Sequence, residues 1–391
     1  MKYNFDKVID RSNNYSAKYD ELESKFGRKD LCSMWVADMD FESPKPVIDA
    51  IKARAEQGIF GYTSRTDSYY DAFTGWYKRR YDWDIKRELI ANSPGVVTSL
   101  SVLMKEFTKA GDKIIVQTPV YYPFLNVVKD NGRQLVLNPL KNIDGDYVMD
   151  YEDLKKKIDN KVKYLILCNP HNPVGRVWTK KELIKLGNIC IENNITVISD
   201  EIHGELVYGE NKYTPFASIS EEFRKNSIIC LSATKTFNIA GLQDSFVVFP
   251  NKKTYEQFKG FLDILGIKRN NCFSLVAVET AFRHGEEWLK QLLEYLEGNC
   301  RFIIDYCKKN IPSIKPNKPQ GTYLVWLDCR DLGLDDESLN DFMINKAKIA
   351  LDEGRWFGEE GKGYTRINIA CPRTTLEEGL TRIGKAVEEY L

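Results

Sequence analysis

Val162-Lys-Tyr-Leu-Ile-Leu-Cys-Asn-Pro-His-Asn-Pro-Val-Gly175 begins as a run that is apolar but for Lys163 and breaks into a proline-rich loop. It is followed by Thr179-Lys-Lys-Glu-Leu-Ile-Lys-Leu-Gly-Asn-Ile-Cys-Ile191, whose apolar residues recur at helical spacing behind a capping threonine, and then by a second short run, Thr196-Val-Ile-Ser199. Strand, loop, helix, strand in this order is one crossover unit. Because the strands are mostly continuous apolar runs and do not alternate, both sheet faces are expected to be covered, which is the condition of a parallel sheet in an α/β protein.

The same rhythm extends outward from about residue 95 to 250. Lys113-Ile-Ile-Val-Gln117, Ser227-Ile-Ile-Cys-Leu231 and Phe246-Val-Val-Phe249 read as further strands, and Asp150-Tyr-Glu-Asp-Leu-Lys-Lys-Lys-Ile158 as a helix capped by Asp150. After Pro312 the pattern changes. Gly321-Thr-Tyr-Leu-Val-Trp-Leu-Asp328 reads as a strand, Asp336 to Ile349 as a helix and Thr374 to Leu391 as a closing amphipathic helix, together a smaller α+β domain. The first 40 or so residues are too few for a domain, and Met34-Trp-Val-Ala37 is too apolar for a free tail, so this segment is expected to pack on the smaller domain and line the cleft. The expected division is 45–285 for the large α/β domain and 1–44 with 286–391 for the small one.

The chain has 391 residues, 43% hydrophobic and 29% charged, which is enough apolar material for a large core. Lys+Arg and Asp+Glu both number 56, so no net field draws the protein to nucleic acid or to an anionic membrane. No apolar h-region opens the chain and no stretch is long enough to span a bilayer, so a cytoplasmic protein is expected. The nine cysteines are scattered without a C-x-x-C pair, and none of the three histidines lies four residues from another. Neither a disulfide framework nor a metal site is expected, and the chemistry falls to an organic cofactor.

In open parallel sheets ligands sit beyond the carboxyl ends of the strands, so the loops there carry the candidates. Asn172, in Cys168-Asn-Pro-His-Asn-Pro-Val-Gly175, offers an amide that can donate to a phenolate-type oxygen; alone, the segment reads equally as a rigid turn. Asp200, in Val197-Ile-Ser-Asp-Glu-Ile-His203, is a carboxylate that can keep a pyridine nitrogen protonated, or a helix cap. Lys235, in Cys230-Leu-Ser-Ala-Thr-Lys-Thr-Phe-Asn238, is the residue type that forms Schiff bases, and Ser232 and Thr234 beside it can bind a phosphate. Asn92-Ser-Pro-Gly-Val-Val-Thr98 precedes a helical stretch whose first amides can do the same. Tyr121 or Tyr122 can stack on a planar ring. Arg366, in Tyr364-Thr-Arg-Ile-Asn-Ile-Ala370, presents a fork suited to a carboxylate. Gly379-Leu-Thr-Arg-Ile-Gly-Lys-Ala386 imitates a P-loop, but Ala386 replaces the magnesium-binding hydroxyl and the segment sits in an amphipathic helix.

Asn172, Asp200, Lys235 and Arg366 reproduce the order and rough spacing of fold-type I pyridoxal 5'-phosphate (PLP) enzymes, the aspartate aminotransferase superfamily. More narrowly, the chain resembles the MalY/PatB family of cystathionine and cysteine-S-conjugate β-lyases. The resemblance rests on Met34-Trp-Val-Ala-Asp-Met-Asp-Phe41, Phe60-Gly-Tyr-Thr63, Ser93-Pro-Gly-Val-Val97, Asp200-Glu-Ile-His203, Ser232-Ala-Thr-Lys-Thr-Phe-Asn-Ile-Ala-Gly-Leu-Gln243 and Ala370-Cys-Pro-Arg373. It implies a large domain with a mainly parallel seven-stranded sheet flanked by helices. It implies that Lys235 carries PLP, Asp200 pairs with the ring nitrogen, Asn172 bonds the ring oxygen and Tyr121 stacks on the ring, with Lys235, Asp200 and Tyr121 as the catalytic set. Val96, Val97 and Ser232 would hold the phosphate, and Arg366 the substrate carboxylate with Trp35 nearby. Tyr62 would reach the neighbouring subunit's cofactor and substrate in a homodimer.

Two positions depart from the aminotransferase pattern: His203 stands where a tyrosine usually follows the aspartate, and Gln243 where an arginine usually follows the lysine. Both favour the lyase branch, in which a cysteine S-conjugate such as L-cystathionine undergoes α,β-elimination to a thiol, pyruvate and ammonia. The alternative is a class I/II aminotransferase, which the same residues would serve. His203 is counted with the cofactor contacts, although a packed histidine is an equal reading.

Overall fold

A computed structural model describes residues 1–390. The main sheet has seven strands: β1 (Ile90–Ser93), β2 (Lys113–Val116), β3 (Gln134–Leu137), β4 (Val162–Cys168), β5 (Thr196–Asp200), β6 (Ser227–Leu231) and β7 (Ser245–Val248). Their spatial order is β1-β7-β6-β5-β4-β2-β3. All neighbours are parallel except β7, which runs antiparallel to β1 and β6. The seven-stranded, mainly parallel α/β sheet implied by the resemblance is present.

Successive side chains of each strand enter opposite faces. Ile166, Ile198 and Ile228 join one apolar cluster with α1 (Val96–Phe107), α2 (Pro123–Asp130) and α4 (Lys252–Ile264), while Leu165, Val197 and Ile229 join the other with α3 (Lys180–Glu192). α3 starts where Thr179 closes a capping box: its hydroxyl accepts from the Glu182 amide at 3.3 Å, and the Glu182 carboxylate accepts from the Thr179 amide at 2.8 Å. Such a cap contributes about 1 kcal/mol. Leu186 on its inner face is fully buried, and truncating such a leucine to alanine costs about 2–5 kcal/mol. Gly187, mid-helix, is required because a Cβ there would lie 2.1 Å from the Phe223 ring.

A second, antiparallel sheet has strands β8 (Lys315–Pro316), β9 (Leu324–Asp328), β10 (Asp352–Glu353) and β11 (Tyr364–Asn368), in the order β8-β9-β11-β10. α5 (Glu286–Asn310) and α6 (Arg373–Tyr390) bury their apolar stripes in the same cluster as β9 and β11. The P-loop-like segment lies inside α6, and Leu391, the last residue of the expected helix, lies outside the described residues.

The helix expected over Asp336–Ile349 ends sooner. It is α-helical over Asp336–Asp341 and π-helical over Phe342–Lys346. The chain then turns at Lys348 (φ 50°), and Ile349–Ala350 pairs in parallel with Cys32–Ser33. That strand–strand contact is what removes Ile349 from the helix. It also begins a series of bonds holding the N-terminal segment: the Asn368 amide donates to the Met34 carbonyl at 2.9 Å, and its side chain donates to the carbonyls of Val36 (2.7 Å) and Asp38 (2.6 Å). Among the described residues no helix is long and apolar enough to cross a membrane.

Candidate active site

Parallel strands end at one edge of the sheet, and their register brings Cys168, Asp200 and Cys230 side by side at the ends of β4, β5 and β6. The loops leaving these ends are therefore neighbours. They open onto a cavity of about 450 Å³ whose wall includes Val96, Val97, Tyr121, Asn172, Asp200, His203 and Lys235. Residues read separately from the sequence thus share one space.

The Lys235 amine donates to the Ala37 carbonyl at 2.5 Å. Burial lowers its pKa to about 8, partly countered by the Asp38 carboxylate and assisted by Arg366. Near neutral pH a usable fraction of this amine is therefore uncharged and nucleophilic. Asp200 is buried, and one carboxylate oxygen accepts from the Ile202 amide at 3.0 Å. Burial pushes its carboxyl up to about 7, against the pull of that hydrogen bond and of Lys235. A protonated ring nitrogen in the cavity would supply the missing cationic partner.

Arg366 is 3% exposed and its guanidinium is shared among three acceptors. One Nη donates to Asn172 Oδ1 at 3.0 Å; the other donates to the Trp35 carbonyl at 3.1 Å and to the Asp352 carboxylate. Its Nε has no partner. An arginine only donates, so this contact fixes which end of the Asn172 amide is oxygen and leaves the Nδ2 donors for a group in the cavity. The backbone is fixed as well, because the Tyr121 amide donates to the Asn172 carbonyl at 3.0 Å.

α1 begins at the cavity wall. Its N-cap, Gly95, supplies no side-chain cap, and a Cβ at Gly95 would meet nothing within 4 Å. The amides of Val96 and Val97 therefore lie at an open helix N-terminus, which suits a phosphate. Thr98 and Thr234 line this region; Ser232 donates instead to the Asp244 carbonyl at 2.6 Å and lies 2.8 Å from the Thr234 hydroxyl. No arginine lines the wall, and Gln243 and Asp244 occupy it instead.

Burial lowers the pKa of His203 to about 3, with Lys235 and Arg366 acting in the same direction, so the ring is neutral. It stands edge-on to Tyr323 with centroids 5.9 Å apart. The Trp35 indole turns away to donate to the Lys18 carbonyl at 3.0 Å. Tyr62 is 98% exposed and is not among the residues lining this cavity within one chain. Three contributors were absent from the sequence reading. Asp352 is placed by its cross-strand register with Arg366, and the Ala37 carbonyl is shared by Lys235 and the Tyr323 hydroxyl, which donates at 2.9 Å. None of these pairings has a local sequence signal.

An amine, a carboxyl lacking a cation, an oriented amide and an uncapped helix N-terminus around one cavity suit a planar aromatic aldehyde with a ring nitrogen, a ring oxygen and a phosphate. The aminotransferase class I and II profile matches residues 30–383. The chain is 43% identical over 385 residues to cystathionine beta-lyase PatB of Bacillus subtilis (strain 168), covering 98% of this chain and all of that one. Among solved structures it is similar to cystalysin of Treponema denticola with its pyridoxal 5'-phosphate cofactor (36% identity, TM-score 0.97, 100% of both chains). It is also similar to a PLP-bound candidate aminotransferase of Clostridium difficile 630 (53% identity, TM-score 0.97, 99% of this chain and 100% of that one). The chain belongs to the aminotransferase class I and II family and, within it, to the MalY/PatB family of carbon–sulfur lyases.

Proposed function

We propose that this protein is a PLP-dependent carbon–sulfur β-lyase. It cleaves L-cystathionine or related cysteine S-conjugates with water to a thiol, pyruvate and ammonia. The observation that carries this reading is the convergence of Lys235, Asp200 and the oriented Asn172 amide on one cavity. When bound there, PLP supplies an electron sink for the carbanion formed at the substrate Cα.

The chain's own residues divide the remaining work. Lys235 would hold the cofactor through its nitrogen, and its uncharged amine would serve as the base for the substrate Cα proton. Asp200 keeps the ring nitrogen protonated. Asn172 donates to the ring oxygen, and the Tyr121 ring covers the cofactor face. The Val96 and Val97 amides, with Thr234 and Ser232 beside them, hold the phosphate. Arg366 binds the substrate carboxylate with its unpartnered Nε and the remaining Nη donor, next to the Trp35 backbone. His203, neutral and buried, packs beside the ring and adds no charge.

The exposed Tyr62 ring belongs, on this reading, to the partner's site in a cytoplasmic homodimer. Residues 45–285 form the cofactor domain, and 1–44 with 286–391 the smaller one. The 53% identity to a candidate aminotransferase favours a second reading, transamination at the same residues. To test the assignment, protein mixed with PLP is reduced with borohydride and mapped by mass spectrometry. The cofactor mass is expected on Lys235 and is absent in Lys235→Ala, with thiol release lost in the same variant. Keto-acid-dependent product formation without thiol would move the protein to the aminotransferases.

A further inference from the structure

The segment Trp35–Met39, which meets the cavity wall at Ala37, is a strap in which every backbone carbonyl is taken by a side chain from elsewhere. Arg366 donates to Trp35 O, Asn368 to Val36 O and Asp38 O, Lys235 and Tyr323 to Ala37 O, and Asn238 and Arg11 to Met39 O. The strap therefore links the lysine to the carboxylate-binding arginine.

Beneath it lies a compact cluster of four charges. Arg11 forks onto Asp38, with Nη1 to Oδ1 at 2.9 Å and Nη2 to Oδ2 at 2.6 Å, and Nη1 also reaches Asp40 at 2.7 Å. Lys18, 1% exposed, donates to the other Asp40 oxygen at 2.7 Å. Asp38 directly follows the residue whose carbonyl receives the Lys235 amine. Its nearer cation is Arg11, far back in the N-terminal segment, with the Lys18 ammonium at 3.8 Å as the second.

We propose that Arg11 is a positioning residue for Lys235: by neutralising Asp38 and anchoring the strap, it fixes the Ala37 carbonyl on which the amine rests and sets the field the amine experiences. The inference rests on the reading of Lys235 as the cofactor lysine. The charged groups acting on this amine are Asp38 and Asp200 on one side of the balance and Arg366 on the other, with the neutral His203 and the Tyr323 hydroxyl beside them.

An electrostatic role and a merely structural one differ in sign. Arg11→Met removes the bidentate partner of Asp38 and leaves it only the more distant Lys18 ammonium at 3.8 Å, which favours the charged amine and raises its titration midpoint. Asp38→Asn keeps the shape but removes the anion, which lowers it. In the double variant the two effects largely cancel.

The measurement is competitive acylation of the full-length, PLP-free chain with isotopically labelled acetic anhydride across pH, reading the Lys235 peptide by mass spectrometry. We expect the two single variants to shift the Lys235 midpoint in opposite directions by about half a pH unit or more. The double variant and Arg11→Lys are expected to stay near the wild type. Shifts of the same sign, as loosening alone would give, or no shift in either variant overturn the proposal. Borohydride reduction of the wild type with PLP runs alongside. Failure to label Lys235 there overturns the reading beneath the proposal, whereas labelling with same-sign shifts overturns the proposal alone.

Discussion

Replacing Asp200 by asparagine should stabilise the cofactor-free protein while destroying its activity. The carboxyl is buried at the end of β5, accepts one backbone hydrogen bond and rises from its ordinary 3.8 to about 7. At about 1.4 kcal/mol per pH unit, ionising it inside the empty cavity costs roughly 4 kcal/mol. The direction follows from proton binding. Below about pH 4 the carboxyl is protonated both folded and unfolded, and the group costs nothing. Between about 4 and 7 the folded chain holds a proton that the unfolded chain has lost, so stability falls as pH rises; above about 7 the whole cost is present. Asparagine never ionises. Calorimetry of PLP-free wild type and Asp200→Asn should therefore give coincident melting temperatures at low pH and a higher one for the variant at pH 8. The gain has about 4 kcal/mol as its upper bound, because water entering the cavity relieves part of the cost. Glu201, Asp244 and Asp352 are also pushed up by burial but are common to both proteins. With PLP the order reverses in function, because the neutral amide cannot hold the ring nitrogen protonated, and a loss of about 100-fold or more in kcat is expected. A variant less stable than wild type at pH 8 without PLP would refute the reasoning.

The observed rate of PLP capture should climb about tenfold per pH unit and level off above about 8, where the Lys235 amine becomes neutral; stopped-flow absorbance reads this, and a midpoint near that of a free lysine would contradict it. Arg366→Met removes the carboxylate fork and frees the Asn172 amide to flip. It should lower kcat/KM by about 10²–10³, mainly through KM, and also lower the melting temperature by leaving Asp352 buried without its cation. Tyr62→Phe should speed PLP release about tenfold if the hydroxyl reaches the partner's phosphate, measured as cofactor loss on dilution, with no change in monomer fold. Gly175→Ala, at φ 70° with its Cβ 2.6 Å from that of Pro319, should cost about 1–3 kcal/mol, read as a drop in melting temperature.

The sheet is legible where burial on both faces writes itself as a run of adjacent apolar residues, as in Leu165–Cys168 of β4, Val197–Ile198 of β5 and Ile228–Leu231 of β6. β1 was not, because Ile90-Ala-Asn-Ser93 is half polar: Asn92 receives the Tyr70 hydroxyl and donates to Tyr69, and Ser93 bonds Ser99 and Ser245, so its polarity is satisfied by specific partners. β3 was missed as a short edge strand whose four residues remain partly exposed. The overlong helix at 336–349 shows the complementary failure, since pairing of Ile349 with Cys32 couples positions too distant for any local pattern. The same holds at the site. Lys235, Asp200, Asn172 and the Val96–Val97 amides follow strand ends or open a helix, and these positions can be read along the chain. Asp352 and the Ala37 carbonyl act only through folded neighbours. Residue type named Ser232 and Thr234 together, and of the two only Thr234 lines the cavity wall, where Thr98 joins it.

Carbon–sulfur β-elimination is decided by incubating the PLP-loaded protein with L-cystathionine in the absence of any keto acid and quantifying homocysteine, pyruvate and ammonia together. A β-lyase releases the three products in equal amounts over many turnovers. Pyruvate and thiol absent without an added keto acid, with an amino group passed to that acid once it is supplied, would contradict it.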